Sequence, residues 1–123
     1  MNGSNLFVDT NILLYLLNGD KVVSELLDSK KIFISFISEI ELLSFKKLSR
    51  QETLIIHQLL SDCTMIDLNE EIKAKTIELK LNYNLKIPDA IIGATSSYLN
   101  IPLVTADKDF KRIKDIDLIF YQI

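Results

Sequence analysis

Acidic residues at the boundaries of apolar segments are the part of this sequence whose types and spacing could do chemistry. Asp9 ends a short apolar run and is followed, after two polar residues, by the apolar stretch Ile12–Leu17. Further acids stand at comparable boundaries, at Glu41, Asp89, Asp107 and Asp109. Carboxylate oxygens are the ligands that hard divalent cations prefer. If these acids meet, the sequence predicts a metal site that could activate water for attack on a phosphodiester.

The elements that must position these acids alternate between strands and helices. Runs rich in β-branched and aromatic residues predict a first strand ending at Asp9 and later strands at 32–36, 65–68, 103–105 and 118–121. Helical spacing of apolar residues predicts helices between them, including one that opens at Ser38 and ends near Arg50. This alternation favours an α/β fold with a parallel sheet. In such a sheet the strand ends and helix starts lie on one edge, where ligands bind, so we expect the acids to converge there.

The bulk composition narrows the protein class. The 123 residues suffice for one domain, 1–123, with a single substantial core. We expect no membrane span, because the apolar runs are too short, and no secretory signal, because the N-terminus lacks a basic region before an apolar one. The one cysteine excludes an intramolecular disulfide framework, which favours the cytoplasm. A net charge of −3 argues against coating nucleic acid by charge alone, but not against a nuclease.

Each acid also has a purely structural explanation. Asp9 could cap the helix that follows it, and Ser38 with Glu41 has the spacing of a capping box. Asp89 follows Pro88 and would complement a helix dipole. Asp107 and Asp109 taken alone would be turn residues. Convergence of four elements on one edge is therefore the argument for a site, together with the partly inward-facing position that helical spacing gives Glu41.

Other residues are weaker candidates for a functional role. Asn11, Ser38 and Thr105 are polar neighbours of the acids that could hydrogen-bond them. His57 is expected at the surface and Cys63 as a small core residue. The small side chains around Gly93 predict close helix packing. Several basic residues near the acids could hold phosphates, among them Lys46, Lys47, Arg50, Lys86, Lys108, Lys111 and Arg112.

Longer motifs give the sequence a family resemblance. It resembles a PIN-domain ribonuclease, most closely the VapC-like toxins of type II toxin–antitoxin pairs, in FVDTNILLYLL, SEIELLSF and IPDAIIGATSSYLNIPLVTADKDF, beginning at Phe7, Ser38 and Ile87. Length and element order agree as well. The resemblance transfers the family's acidic quartet to Asp9, Glu41, Asp89 and Asp107. Glu41 matches rather than Glu39 because an apolar residue follows it, and Asp109 stays open as a supporting or alternative fourth ligand.

The resemblance implies a metal-dependent endoribonuclease that uses Mg²⁺ or Mn²⁺ and hydrolyses RNA without a covalent intermediate. It also implies a homodimer inhibited by a cognate antitoxin, and a PIN-like three-layer α/β/α fold with about five parallel strands in an order near 3-2-1-4-5. A receiver-like phosphoacceptor domain is a competing interpretation, but that fold needs paired acids after its first strand, and Asp9 is unpaired. A second competing interpretation is a non-catalytic interaction module with the PIN fold. The presence of all four acids of the quartet argues against it.

Overall fold

The computed structural model describes residues 4–122. Within them the strands are β1 (Asn5–Val8), β2 (Lys31–Ser35), β3 (Thr64–Ile66), β4 (Leu103–Thr105) and β5 (Leu118–Phe120). The helices are α1 (Thr10–Leu17), α2 (Lys21–Leu27), α3 (Phe36–Leu43), α4 (Arg50–Ser61), α5 (Glu70–Tyr83) and α6 (Ile87–Leu99), with a 3₁₀ helix at Lys108–Arg112. In this part of the chain no helix combines the length and apolar character that a bilayer crossing requires.

The strands form one parallel sheet in the order β3-β2-β1-β4-β5. This confirms the predicted α/β class and the predicted strand order. β1 is the central strand, and Phe7 pairs with Phe33 of β2 on one side and Leu103 of β4 on the other. Because β1 lies between two neighbours, Asp9 leaves the sheet at the middle of its carboxyl edge.

The sheet separates two hydrophobic clusters, as a three-layer architecture requires. Phe7 faces the cluster built with α5 and α6, whereas its neighbours Leu6 and Val8 face the cluster built with α1, α2 and α4. This alternation follows from the period of two along a strand. On the α6 side, a Cβ at Gly93 would come within 2.9 Å of the Ile116 side chain, so the predicted close packing of this helix is confirmed.

Helix α3 differs from its prediction. It begins at Phe36, directly after β2, and ends at Leu43 rather than near Arg50. The Ser35 hydroxyl caps it by accepting a hydrogen bond from the Ile37 amide at 3.1 Å. The alternative explanation of Ser38 and Glu41 as a capping box is therefore wrong, and Glu41 lies in the second turn instead of the first. Both serines are of capping type, but Ser35 is the one that stands where β2 ends and extended backbone turns into helix.

The other local predictions agree with the structure or shift by a few residues. A true capping box joins Ser49 and Glu52 at the start of α4, where the shortened α3 leaves room for a loop. His57 is exposed as predicted. Cys63 is half-buried, and burial raises the pKa of its thiol to about 11, so it is an unreactive packing residue.

Candidate active site

A cavity of about 450 Å³ opens at the carboxyl edge of the sheet, and we call it the acid pocket. Its lining includes all four acids of the predicted quartet, which arrive from β1, α3, α6 and the segment after β4. The complete lining is Asp9, Thr10, Asn11, Leu14, Glu41, Ser44, Phe45, Asp89 and Asp107. The convergence that was inferred from topology is thus present in the structure. Asp109 is exposed and does not line this cavity.

Asp9 is held at the end of β1 by contacts on both carboxylate oxygens. Its side chain is buried, Oδ1 accepts from the Thr10 amide at 2.8 Å, and Oδ2 accepts from the Thr105 hydroxyl at 2.7 Å. Its own amide donates to Val104 in β4 at 3.0 Å. Burial raises the pKa of Asp9, these hydrogen bonds lower it, and the charges of Asp107 and Glu41 raise it again. The net pKa lies above the ordinary value, so the pocket penalises the negative charge.

A chain of hydroxyl groups positions Glu41. The Thr10 hydroxyl donates to Glu41 Oε1 at 2.6 Å, and it lies 2.7 Å from the Ser38 hydroxyl. Because Thr10 has only one hydroxyl proton and gives it to the carboxylate, Ser38 is the donor in the second bond. We call this arrangement, Ser38 to Thr10 to Glu41, the hydroxyl chain. It joins the first turn of α1 to α3.

The expected polar neighbours fall into three different places. Thr105 contacts an acid directly, through Asp9. Ser38 is buried and lies one hydroxyl away from Glu41 instead of touching an acid. Asn11 lines the pocket, but it makes none of the hydrogen bonds to these acids among residues 4–122. Sequence reasoning missed Thr10, whose one signal was its place between Asp9 and Asn11 in the polar break.

Asp107 and Asp109 have distinct positions. Asp107 caps the 3₁₀ helix by accepting from the Asp109 amide at 2.9 Å, and its own amide donates to the Thr105 hydroxyl at 3.0 Å. Thr105 therefore bridges Asp9 and the backbone of Asp107. Asp109 lies outside the pocket, and its charge acts on Asp89 from a distance. Of these two acids, Asp107 lines the acid pocket and Asp109 does not.

Asp89 experiences the combined field of the other acids. It lies half-buried in the first turn of α6. Burial, followed by repulsion from Asp107, Asp9, Glu41 and Asp109, raises the pKa of Asp89 to about 6. None of the described lining residues is basic, so the chain itself supplies no opposing charge inside the pocket.

This donor set fits a hard divalent cation that keeps part of its water shell. Among residues 4–122 no three acid, histidine or cysteine side chains are close enough to hold one metal ion directly as they stand. Magnesium commonly binds through one or two carboxylates and several waters, which a cavity of about 450 Å³ accommodates. A bound cation would also offset the burial and the repulsion that together raise the pKa of Asp89.

Comparisons with known proteins add independent findings. A family model described as PIN domain matches residues 6–116. A chain of a toxin–antitoxin complex from Klebsiella pneumoniae is 30% identical, with 96% of this chain and 99% of that chain covered and a TM-score of 0.83. VapBC-1 from nontypeable Haemophilus influenzae is 25% identical, with coverages of 94% and 97% and a TM-score of 0.79.

A further structural neighbour is VapBC2 from Rickettsia felis, in a complex with a DNA fragment from the promoter. It is 24% identical, with coverages of 96% and 99% and a TM-score of 0.84, and at this identity it shows likeness of fold alone. No curated protein sequence matches significantly. Coverage of nearly the whole of each structure means that the similarity extends over all three layers and includes the edge that carries the acids.

Proposed function

The chain belongs to the PIN-domain family, and from that premise we propose that it is a metal-dependent endoribonuclease and the toxin of a toxin–antitoxin pair. One observation carries the nuclease part of the proposal. Four carboxylates from four separate elements line one pocket without a basic side chain among the described lining residues. That arrangement costs folding free energy, since burial and then repulsion from the other acids raise the pKa of Asp89 to about 6. A cation site accounts for it.

In this proposal Asp9, Glu41, Asp89 and Asp107 hold Mg²⁺ or Mn²⁺. When bound, the cation supplies activation of water and stabilisation of the charge that develops on the phosphate. Asp9 fixes the site to the core through β1, and Asp107 completes the same side of the pocket. Glu41 faces them from α3, oriented by the hydroxyl chain. Asp89, with its raised pKa, is the carboxylate that gains most from a cation.

The proposed partners follow from the structural neighbours. The neighbours from Klebsiella pneumoniae and Haemophilus influenzae are toxin–antitoxin complexes, and we extend this to a cognate antitoxin for this chain. We further propose a homodimer that cleaves RNA in the cytoplasm. Membership of the PIN-domain family supports nuclease activity. That the substrate is RNA is part of our proposal.

The decisive experiment incubates the purified protein with RNA in Mg²⁺, in Mn²⁺ and in EDTA. We expect cleavage with either metal and none with EDTA, and we expect Asp9→Asn to be inactive in all three. Asp28→Asn is the matched control, because Asp28 is exposed and lies outside the acid pocket. Cleavage that survives EDTA or Asp9→Asn would contradict the metal mechanism. Stable phosphorylation by acetyl phosphate would favour a phosphoacceptor domain instead.

A further inference from the structure

We propose that Phe45 is the platform on which a base of the substrate stacks beside the cleaved bond, so that the protein selects an unpaired nucleotide. This inference rests on the proposed ribonuclease function and assigns to it a residue that recognises the substrate. Phe45 is an exposed aromatic side chain in the wall of the acid pocket, and 47% of it is accessible.

The position of Phe45 separates two cavities. It lines the acid pocket, and it also lines a neighbouring apolar groove of about 230 Å³. Phe45 is the second residue after the end of α3, and it follows Glu41 by four residues in the sequence. A nucleotide whose phosphate lies at the acids would therefore have its sugar and base at the rim that Phe45 forms.

The exposure of Phe45 is not explained by core packing. Leu14, Leu48 and Ile56 of the groove belong to or pack against the hydrophobic cluster on that side of the sheet. Phe45, like Ile55 of the same groove, is absent from that cluster within the described residues, and of these two only Phe45 also lines the acid pocket. A half-exposed phenyl ring leaves apolar area in water that burial would stabilise. A stacked base would cover that area, and every base has a face that can do so.

The charges next to Phe45 favour nucleic acid as the occupant. Lys46 and Lys47 follow it directly, both exposed, and neither forms a salt bridge within residues 4–122. Acids in the pocket repel phosphates, so cations at its rim are needed to hold the phosphates on either side of the reacting one. An aromatic platform beside lysines is the combination that single-stranded nucleic acid binding uses. A base in a duplex already has both faces stacked, so the ring selects an unpaired nucleotide.

The kinetic test compares Phe45→Ala with Tyr98→Ala on a single-stranded RNA oligonucleotide that the wild type cleaves. Tyr98 is the matched control, because it is also 47% exposed and lines neither cavity. We expect Phe45→Ala to raise KM by about 5- to 150-fold, the range that loss of one stacked base gives, while kcat changes much less. Phe45→Trp keeps an aromatic ring and should have a KM close to that of the wild type. Tyr98→Ala should also leave KM at the wild-type value.

A substrate with an abasic site next to the cleaved bond makes the test specific for stacking. For the wild type the abasic site should raise KM by a factor similar to that of Phe45→Ala. For Phe45→Ala the same abasic site should change KM little, because the partner of the base is already absent. Equal abasic effects in both proteins would overturn the proposal.

A spectroscopic test needs no turnover. The sequence contains no tryptophan, so Phe45→Trp introduces a unique indole at the platform. In an Asp89→Asn background, which prevents cleavage, we expect single-stranded RNA to quench this fluorescence and a duplex of the same sequence to leave it unchanged. Tyr98→Trp in the same background should not respond to either.

The outcomes separate this inference from the proposed function. A wild type that cleaves RNA together with an unchanged KM in Phe45→Ala overturns the role of Phe45 alone. A variant that keeps its RNA KM but loses affinity for an antitoxin shows that Phe45 contacts protein instead. A wild type that cleaves no RNA overturns the proposed function, and absence of quenching by single-stranded RNA then overturns the stacking role as well.

Discussion

The two sides of the acid pocket are built in different ways. The strand side, formed by Asp9, Thr105 and Asp107, rests on the ends of β1 and β4, and each of its acids has more than one hydrogen-bonded anchor. The helix side, formed by α3 with Glu41, is joined to the strand side through the Thr10 hydroxyl. Asp9 is 6% exposed, whereas Glu41 is exposed.

This difference shows that one pocket can combine redundant and non-redundant support. Loss of one contact on the strand side leaves Asp9 fixed by the backbone of β1, since its amide still donates to Val104. Loss of the Thr10 hydroxyl leaves Glu41 free to rotate and removes the partner of the buried Ser38 hydroxyl. We therefore expect the strand side to tolerate loss of a supporting contact and the helix side to be sensitive to it.

The largest effect is expected at Asp89, which lines the acid pocket from α6 and belongs to neither side. Asp89→Asn should reduce cleavage by more than about 100-fold, the upper end for residues that only support a metal ligand. The fold should persist, because asparagine is tolerated in a first turn and one source of repulsion is removed. Cleavage rates and thermal unfolding of the metal-free protein measure both effects. A lower Tm at pH 7 would show that Asp89 has a structural role instead.

The next largest effect tests the helix side. Thr10→Val removes the hydroxyl that orients Glu41, and we expect cleavage to fall by about 10- to 100-fold. It also leaves the buried Ser38 hydroxyl without the Thr10 hydroxyl as its acceptor, at a cost of about 1–3 kcal/mol in the free energy of unfolding. Thr10→Ser keeps the hydroxyl and is the matched control, with activity near that of the wild type. Equal activity of Thr10→Val and Thr10→Ser would show that the hydroxyl chain does not position Glu41.

A smaller effect is expected for Thr105→Val on the strand side. Asp9 keeps its bond from the Thr10 amide, and Asp107 keeps its bond from the Asp109 amide. We expect a loss of cleavage of less than about tenfold, below the usual range for a supporting residue because other anchors remain. Thr105→Ser should be close to wild type. If Thr105→Val were as damaging as Thr10→Val, the contrast between the two sides would be wrong.

The smallest expected effect is a change of thermal stability with pH, which depends on the raised pKa of Asp89. In the metal-free protein the pKa of Asp89 is raised from 3.8 to about 6, so the folded state binds this proton more tightly than the unfolded chain. The corresponding stability is present below about pH 3.8 and is lost as pH rises through about 6. We expect the Tm of the wild type to fall relative to that of Asp89→Asn between pH 4 and pH 7 in EDTA.

Addition of Mg²⁺ should reverse this loss at pH 7 in the wild type and much less in Asp89→Asn, because binding to the native state raises the apparent stability. Thermal unfolding in parallel pH series, with and without the metal, measures the effect. A Tm difference that is constant with pH would show that burial and repulsion do not raise the pKa of Asp89 in the folded protein.

Local sequence patterns predicted the strand side well. The apolar run before Asp9 and the capping-type break after it determine that the carboxylate stands where a buried strand ends. The order β3-β2-β1-β4-β5 was implied by the family resemblance alone. Asp107, directly after the pattern for β4, was found in the same way as Asp9.

The helix side was harder to predict because its decisive contacts are long-range. Thr10 lies 28 residues from Ser38 and 31 from Glu41, so no local pattern reports their hydrogen bonds. Ser35 and Ser38 are equally good capping residues by type, and only the actual end of β2 decides between them. The early end of α3, which places Phe45 in a loop at the pocket, likewise had no local stop signal of glycine or proline.

The pairing of β1 with β4 has a consequence for how activity arises during synthesis. Thr105 reaches Asp9 across 96 residues of sequence, and β1 becomes a central strand only when β4 lies beside it. A nascent chain that ends before Leu103 contains Asp9, Glu41 and Asp89, yet it lacks Asp107 and leaves β1 paired with β2 alone, as an edge strand. Contacts this distant in sequence are among the last to form as a chain folds. Under the proposed function, the acid pocket is complete only after nearly the whole polypeptide has been made, and we expect chains that end before β4 to cleave no RNA.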